Sequence, residues 1–287
     1  MNIIFDVRGG IGKTIASTAV VQAIRKKYPK AKLIVASPYP GIFKNNPNID
    51  HYYHLSDRGL IFNQFIKNKE AKILASEPYD EGKFLTREWD LLKTWYNLFD
   101  LPYGKEKPQM FLTRQEMEVD KELYRGNKPI MCIQTHGGID SYGYNWARDL
   151  PDCVIKKVIE EFKDDYTIYH IKQTHQPKYE NTITAAEDIR SIATLIHLSS
   201  KRLFIDSFAQ HLAVAMFKKS TVCWVTTSPS NFGYSYHDNI FCNPYDYETE
   251  YSCYQGYNLE ENINNLPFGD EERIFDVDYI IKSLKKQ

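Results

Sequence analysis

Short apolar runs typical of β-strands alternate with amphipathic helix patterns through most of the second half of the chain. The strand patterns are 129–134, 166–171, 202–205 and 221–225, and the helix patterns between them are 153–162, 189–198 and 209–217. A helix that joins two strands returns the chain to the same edge of the sheet, so the alternation predicts parallel strands and an α/β fold. Ligands of such folds collect at the carboxyl ends of the strands.

The first forty residues show the same pattern around a glycine-rich turn. An apolar strand pattern at 2–7 leads into the turn at 9–12, a helix pattern covers 14–28, and a second strand pattern lies at 32–37. Because the connection between the two strands is a helix, we expect them to be parallel with a right-handed crossover. The sequence therefore predicts a second α/β unit at the N-terminus.

The length of 287 residues and the hydrophobic content of 43% fit two domains of modest size. The stretch 112–128 is mostly polar and separates the two patterned parts of the chain. We therefore predict an N-terminal domain at 1–120 and a C-terminal domain at 121–287. A last amphipathic pattern at 276–285 is compatible with packing on either domain.

Charge and composition exclude several kinds of partner. The chain has 36 basic and 37 acidic side chains, so its net charge of -1 gives no general attraction to nucleic acid. No apolar run approaches the ~20 residues that span a bilayer, and the opening MNIIFDVRGG lacks the features of a secretion signal. Five cysteines without a CxxC pair fit reduced thiols and not a metal site. We expect a cytoplasmic protein without a transmembrane segment.

The glycine turn is compatible with two interpretations. Backbone amides of Gly10, Gly12 and the helix N-terminus can attract a phosphate. In one interpretation RGGIGKT is a variant P-loop, in which Lys13 reaches the phosphates and Thr14 binds magnesium, although a strict P-loop requires glycine where this chain has Val7. In the other interpretation the turn is needed only for packing.

A second candidate site follows the strand pattern at 202–205. Asp206 and Ser207 stand at the strand end, and His211 lies in the first turn of the next helix. Ser207 and Gln210 have the spacing of a capping box, so Ser207 is expected to cap the helix. Asp206 suits sugar hydroxyls, because a carboxylate accepts their hydrogen bonds and repels phosphate. The alternative is that Asp206 only starts a helix and that His211 is a structural histidine.

Three segments resemble, in the same order, the ADP-heptose glycosyltransferases of lipopolysaccharide assembly. They are the glycine turn with AIRKKYPKAKLIVASPYPGIFKNNPNID, then THGGIDSYGYNWARDLPDCVIKKVIEEF, and finally FIDSFAQHLAVAMFKKSTVCWVTTSPSNFG. The resemblance covers roughly 1–50 and 130–235, whereas 51–128 matches poorly. It implies a GT-B fold, in which two Rossmann-like domains with parallel sheets face each other across a cleft.

The resemblance also implies a substrate and a site. The C-terminal domain would bind a nucleotide-diphosphate sugar, ADP-linked, through Thr135, Arg148, Asp206, Ser207 and His211. Arg148 falls on a phosphate-binding lysine of that family, and arginine can bind phosphate through two N–H groups. The N-terminal domain would present a glycan or lipid-linked acceptor, which is compatible with a peripheral position at the inner membrane face. The transfer would be inverting, with no metal and no cofactor.

The catalytic base stays open in this comparison. Members of that family carry an aspartate just after the first turn, where this chain has Lys13, and a lysine beside a diphosphate is more readily a phosphate ligand than a base. Besides Lys13 as a catalytic-site residue, we consider Asp140, Asp6 and Glu77 as bases. Phe208 also stands where the family has glycine. We predict a glycosyltransferase, with a variant P-loop ATPase and a non-catalytic nucleotide-sugar or glycan-binding relative as alternatives.

Overall fold

The structure of the protein, a computed structural model, describes residues 1–102, 104–124, 126–138, 145, 147–242 and 271–287. Asp140, one of the predicted catalytic residues, lies outside these residues. The strands are β1 (Asn2–Asp6), β2 (Lys32–Ser37), β3 (His51–His54), β4 (Ala71–Leu74), β5 (Ile130–Ile133), β6 (Thr167–Ile171), β7 (Thr182–Ala185), β8 (Lys201–Ile205), β9 (Thr221–Trp224) and β10 (Asp238–Phe241). The helices are α1 (Ile11–Lys27), α2 (Arg58–Ile61), α3 (Gly82–Leu85), α4 (Leu91–Leu98), α5 (Arg114–Leu123), α6 (Asp152–Phe162), α7 (Ile189–Leu198), α8 (Phe208–Ala215), α9 (Pro229–Phe232) and α10 (Val277–Lys285).

The strands form two sheets, and every described pairing is parallel, as the alternation of strands and helices predicts. The first sheet has the order β3-β2-β1-β4, and the second has the order β10-β9-β8-β5-β6-β7. The strand order reverses beside β1 in the first sheet and between β8 and β5 in the second. A crevice opens at the carboxyl ends of the strands at each reversal, which is where open α/β sheets bind ligands.

Helices α1 and α4 cover one face of the first sheet. Val20 of α1 and Trp95 of α4 belong to one buried cluster with Ile3 and Phe5 of β1, and the Trp95 ring packs edge-on against Phe5 with a centroid distance of 6.4 Å. The opposite face has a thinner cover, the segment 58–66, which follows β3. Burial on both faces explains why the central strands β1 and β2 are continuous apolar runs.

The second sheet is covered on both faces as well. Val158 of α6 and Ile280 of α10 pack on one face with Met131 of β5. Helices α7 and α8 pack on the other face, around Phe204 and Trp224. The sequence is compatible with the last helix packing on either domain, and in the structure α10 packs on the second sheet. The boundary between domains at 120 and 121 stays a prediction.

Strands β3, β4, β7 and β10 and helix α5 are among the elements that no pattern in the sequence predicts. Strands β3, β4, β7 and β10 have four residues each and are partly exposed, so their apolar patterns are weak. Within the polar stretch 112–128, Thr113 and Glu116 form a capping box that starts α5. Arg190 of α7 then holds Glu116 in an ion pair of 2.7 Å, which fixes α5 against α7.

Helices α1 and α8, from the two halves of the chain, cross near their N-terminal ends. A Cβ atom built on Gly12 would lie 2.9 Å from Cδ2 of His211 and 3.4 Å from Cα of Phe208. Ordinary Cβ contacts are longer, so position 12 has no room for a side chain. Gly12 therefore permits the close approach of the two helices, whatever else the glycine turn does.

We expect Gly12→Ala to lower the free energy of unfolding by about 1–3 kcal/mol through overpacking, although alanine gains up to about 1 kcal/mol over glycine inside a helix. Gly10→Ala is the matched control, because a Cβ atom on Gly10 meets nothing within 4 Å. Urea denaturation of the two variants and the wild type measures the difference. Equal stability of all three proteins would contradict the packing role of Gly12.

Candidate functional site

A cavity of about 350 Å³ lies between the carboxyl ends of the two sheets. Its wall combines the first turn of α1 with the connections that follow β5, β6, β7 and β8. Seven of the residues singled out in the sequence line it, namely Gly10, Gly12, Lys13, Arg148, Asp206, Ser207 and His211. Residues nearly 200 positions apart in the sequence thus meet in one site, whose volume lies in the range of ligand pockets.

Asp206 follows β8 and is 5% exposed. Its Oδ2 lies 3.7 Å from Nη2 of Arg148, and its Oδ1 accepts a hydrogen bond of 3.3 Å from Nε2 of Gln210. The capping box predicted for Ser207 and Gln210 is wrong. Ser207 precedes α8, and its side chain does not cap the helix. The side-chain amide of Gln210 donates to Asp206 and to the carbonyl of Phe232 instead.

Arg148 lies in the connection between β5 and α6. Its side chain packs over Gly137, where a Cβ atom would lie 2.4 Å from Cδ of Arg148. The neighbouring Asp149 carboxylate is fully buried and accepts hydrogen bonds from the amides of Gly137 at 2.8 Å and Asn145 at 2.9 Å. Burial raises the pKa of Asp149 to about 6. The Arg148 Nε is buried and unbonded within the described part of the chain, which leaves a donor for a ligand.

His211 is a neutral hydrogen-bonding group and not a cation. Its Nδ1 lies 2.7 Å from the Tyr234 hydroxyl, and the two rings pack edge to face. Burial lowers the pKa of His211 to about 4, so the imidazole is uncharged at neutral pH. In the tautomer in which the Tyr234 hydroxyl donates to Nδ1, Nε2 carries the proton and is a donor for a ligand in the cavity.

Thr135 is fully buried, and its side chain does not line the cavity as the resemblance implies. Its hydroxyl lies 2.8 Å from Nδ1 of His136 and 2.8 Å from Nε2 of His170. Burial lowers the pKa of His136 to about 4 and that of His170 to about 3, so both rings are neutral at physiological pH. The cavity wall at this strand end comes instead from Gln134 and His136.

The side chains of Lys13 and Thr14 are not placed as a phosphate-binding loop requires. The Lys13 ammonium forms an ion pair with Glu77 and lies 4.4 Å from the centre of the Tyr79 ring. Burial lowers the pKa of Lys13, and the neighbouring Glu77 carboxylate partly offsets this effect. Thr14 is fully buried, and its hydroxyl donates to the carbonyl of Gly10 at 3.1 Å. Thr14 therefore has no exposed oxygen for a metal ion.

The other acids considered as bases differ in their surroundings. Asp6 lies 3.4 Å from both Arg8 and Arg58, and it is not part of the cavity wall. Glu77 contacts that wall through Lys13. Among the described residues, the acids that line the cavity are Asp206 and Glu187. No group of three or more potential His, Cys, Asp or Glu metal ligands occurs within the described ranges.

Several residues of the cavity wall have no motif in the sequence. They follow β5, β6 and β7, and their position at the carboxyl ends of parallel strands is the one signal that identifies them. These residues are Gln134, Lys172, Gln173, Gln176 and Glu187. Lys172 is 8% exposed and donates to the carbonyl of Gln173, and burial lowers its pKa.

Two parallel sheets with a cavity between their carboxyl ends define the GT-B class of fold. Comparison with solved structures confirms this fold. The chain is similar to a glycosyl transferase family 9 protein of Veillonella parvula, with 12% identity over 99% of this chain and 96% of the other and a TM-score of 0.72. It is also similar to the E. coli ADP-heptose LPS heptosyltransferase II, with 12% identity over 100% and 99% of the chains and a TM-score of 0.70.

A third similar structure is TibC of enterotoxigenic E. coli, described as an iron-containing dodecameric heptosyltransferase in complex with ADP-D-beta-D-heptose. Its identity to this chain is 11% over 99% of this chain and 77% of TibC, with a TM-score of 0.65. No family model and no curated protein matches the sequence. The resemblance noted in the sequence is thus confirmed at the level of the fold. No described helix is long and apolar enough to cross a membrane.

Proposed function

We propose that the protein is a glycosyltransferase that moves a sugar from an ADP-linked or related nucleotide-diphosphate donor to a hydroxyl of a glycan or lipid-linked acceptor. One observation carries this proposal. The Asp206 carboxylate, suited to sugar hydroxyls, lies 3.7 Å from the Arg148 guanidinium, suited to phosphate, at the edge of one cavity. The three similar structures reported above are a glycosyl transferase family 9 protein and two heptosyltransferases, and one of them is in complex with ADP-D-beta-D-heptose.

The donor side of the reaction follows from the groups around Asp206. Arg148 and the N-terminal amides of α8 would bind the diphosphate, because both carry positive charge or positive partial charge. As the bond to the anomeric carbon breaks, negative charge grows on the leaving diphosphate, and these groups stabilise it. The Nε2–H of His211 adds a neutral donor. Asp206 would hold hydroxyls of the sugar and fix its orientation.

The acceptor side would be the first turn of α1, which lies against the first turn of α8 where Gly12 meets His211. An acceptor hydroxyl that attacks the anomeric carbon from the side opposite the diphosphate inverts its configuration. Arg148 and the α8 N-terminus supply positive charge to the leaving group, so we propose that no metal ion is required. The two-domain division, the cytoplasmic location and peripheral membrane association are part of the same proposal.

The variant P-loop is disfavoured by two contacts. The Lys13 ammonium is directed to Glu77, and the Thr14 hydroxyl is buried against the Gly10 carbonyl. A P-loop needs both groups on the phosphates and the magnesium ion. The glycine turn therefore has no magnesium-binding hydroxyl.

Calorimetry with ADP, in EDTA and in magnesium, distinguishes the two functions. We expect ADP to bind equally in both solutions, and we expect Lys13→Met to change its affinity by less than about threefold, because the ammonium is bound by Glu77. Sugar transfer from an ADP-sugar is then measured through the ADP that it releases. Magnesium-dependent ATP binding that Lys13→Met abolishes, without ADP-sugar binding, would disprove the transferase.

A further inference from the structure

The Lys13 side chain occupies an enclosed position at the head of α1. It lies over Gly9, where a Cβ atom would be 3.0 Å from Cδ of Lys13. Its ammonium lies 4.4 Å from the centre of the Tyr79 ring and 5.8 Å from that of Trp95. Lys13 is 6% exposed, and the carboxylate in contact with its ammonium is that of Glu77. A buried ammonium requires such a partner, so Glu77 and Lys13 form one unit.

Glu77 is fixed in place at one of its two carboxylate oxygens. Oε1 accepts hydrogen bonds from Nζ of Lys13 and, at 3.2 Å, from the amide of Tyr79. The second contact caps the short turn Pro78–Asp80. No described residue donates a hydrogen bond to Oε2, and the side chain is 35% exposed. One oxygen is therefore held, and the other is accessible to a hydroxyl group.

The Glu77 carboxylate lies next to the cavity wall, in contact with residues that form it. Lys13 and Tyr79, the two residues that bind it, both line the cavity. Asp206 lies on the donor side and is already paired with Arg148. The carboxylate next to the start of α1 is therefore that of Glu77, which the ion pair with Lys13 holds there, and not that of a residue in the helix.

We propose that Glu77 is the general base of the transfer and that Lys13 is its positioning residue. This inference rests on the proposed function. Oε2 of Glu77 takes the proton of the acceptor hydroxyl as the hydroxyl oxygen forms its bond to the anomeric carbon. The bond from that carbon to the diphosphate oxygen breaks, and its electron pair leaves with the nucleoside diphosphate. The proton then passes from Glu77 to water.

The experiment compares the wild type with Glu77→Gln and with the matched control Glu81→Gln, a neighbouring acid that is not the partner of Lys13. ADP release is measured from ADP-glucose and ADP-heptose, with water alone and with a lipopolysaccharide core oligosaccharide as acceptor. We expect Glu77→Gln to lower kcat at least about 100-fold, the range for loss of a general base. The donor KM and the ADP affinity stay within about threefold, and Glu81→Gln behaves as the wild type.

Variants of the ion pair test the positioning role. Glu77→Asp keeps the charge at a shorter reach, so we expect a kcat between those of the wild type and Glu77→Gln. Lys13→Met is expected to lower kcat about tenfold or more, because the carboxylate loses its anchor, and Lys13→Arg is expected to restore most of it. Melting temperatures show that each variant is folded.

Two results would overturn the assignment in distinguishable ways. If Glu77→Gln and Glu77→Asp retain kcat within about threefold of an active wild type, Glu77 is not the base and the proposed function stands. If the wild type binds ADP but releases none from either donor, the proposed function fails and the assignment fails with it. An unchanged kcat in Lys13→Met would disprove the positioning role alone.

Discussion

Replacing Arg148 by methionine is expected to weaken ADP binding about 30- to 1,000-fold, which corresponds to the loss of a charge-assisted contact with a phosphate. Arg148 Nε is buried without a partner in the described part of the chain, and the guanidinium lies at the cavity wall. A diphosphate there gains both a full positive charge and directed N–H groups. Methionine matches the aliphatic stem of arginine and has neither property, so the packing over Gly137 is kept while the phosphate contact is lost. Calorimetry with ADP measures the effect.

Arg8→Met is the matched control for this experiment. Arg8 precedes the glycine turn, its side chain is 55% exposed, and it pairs with Asp6 outside the cavity wall. We expect its affinity for ADP to match that of the wild type. The melting temperature of Arg148→Met is needed as well, because Asp206 loses its cation. A folded Arg148→Met protein that binds ADP with wild-type affinity would show that the diphosphate lies elsewhere.

The parts of the fold that the sequence predicts are those set by local patterns. Strands β5, β6, β8 and β9 and helices α6, α7 and α8 all occur within a few residues of the apolar patterns that predict them. Edge strand β3, with the sequence HYYH, exposes two of its four side chains more fully than the other two and has no apolar run. The sequence predicts a connection where helix α5 lies, because the partly buried ion pair that holds this helix, from Arg190 to Glu116, joins residues far apart in sequence.

Some residues of the candidate site are likewise predictable from the sequence, whereas its long-range contacts are not. Asp206 and His211 are predictable because a strand end and a helix start place them at the edge of the sheet, and Arg148 is predictable through the resemblance. The contact from Lys13 to Glu77 spans 64 residues and crosses a region without a motif, so no sequence pattern indicates it. The packing role of Gly12 depends on His211, which belongs to the other half of the chain.

Replacing Asp206 by asparagine is expected to lower kcat about 100- to 1,000-fold, as expected when a preorganised charged contact to the reacting sugar is lost. ADP should bind at least as tightly as to the wild type, because the substitution removes a negative charge next to the diphosphate. Asparagine keeps the shape of the side chain and one acceptor oxygen for Gln210, so the buried corner remains packed. The opposite responses of kcat and ADP affinity separate a sugar-binding role from a structural one.

Asp100→Asn is the matched control, because Asp100 pairs with Lys27 and its side chain is 99% exposed. Both variants are assayed by ADP release from the same donor, and ADP affinity is measured by calorimetry. If Asp206→Asn retained full activity, the sugar would not be held at this corner, and the donor would have to lie in another orientation in the cavity. If it lost activity and ADP affinity together, with an unchanged melting temperature, Asp206 would act on the nucleotide and not on the sugar.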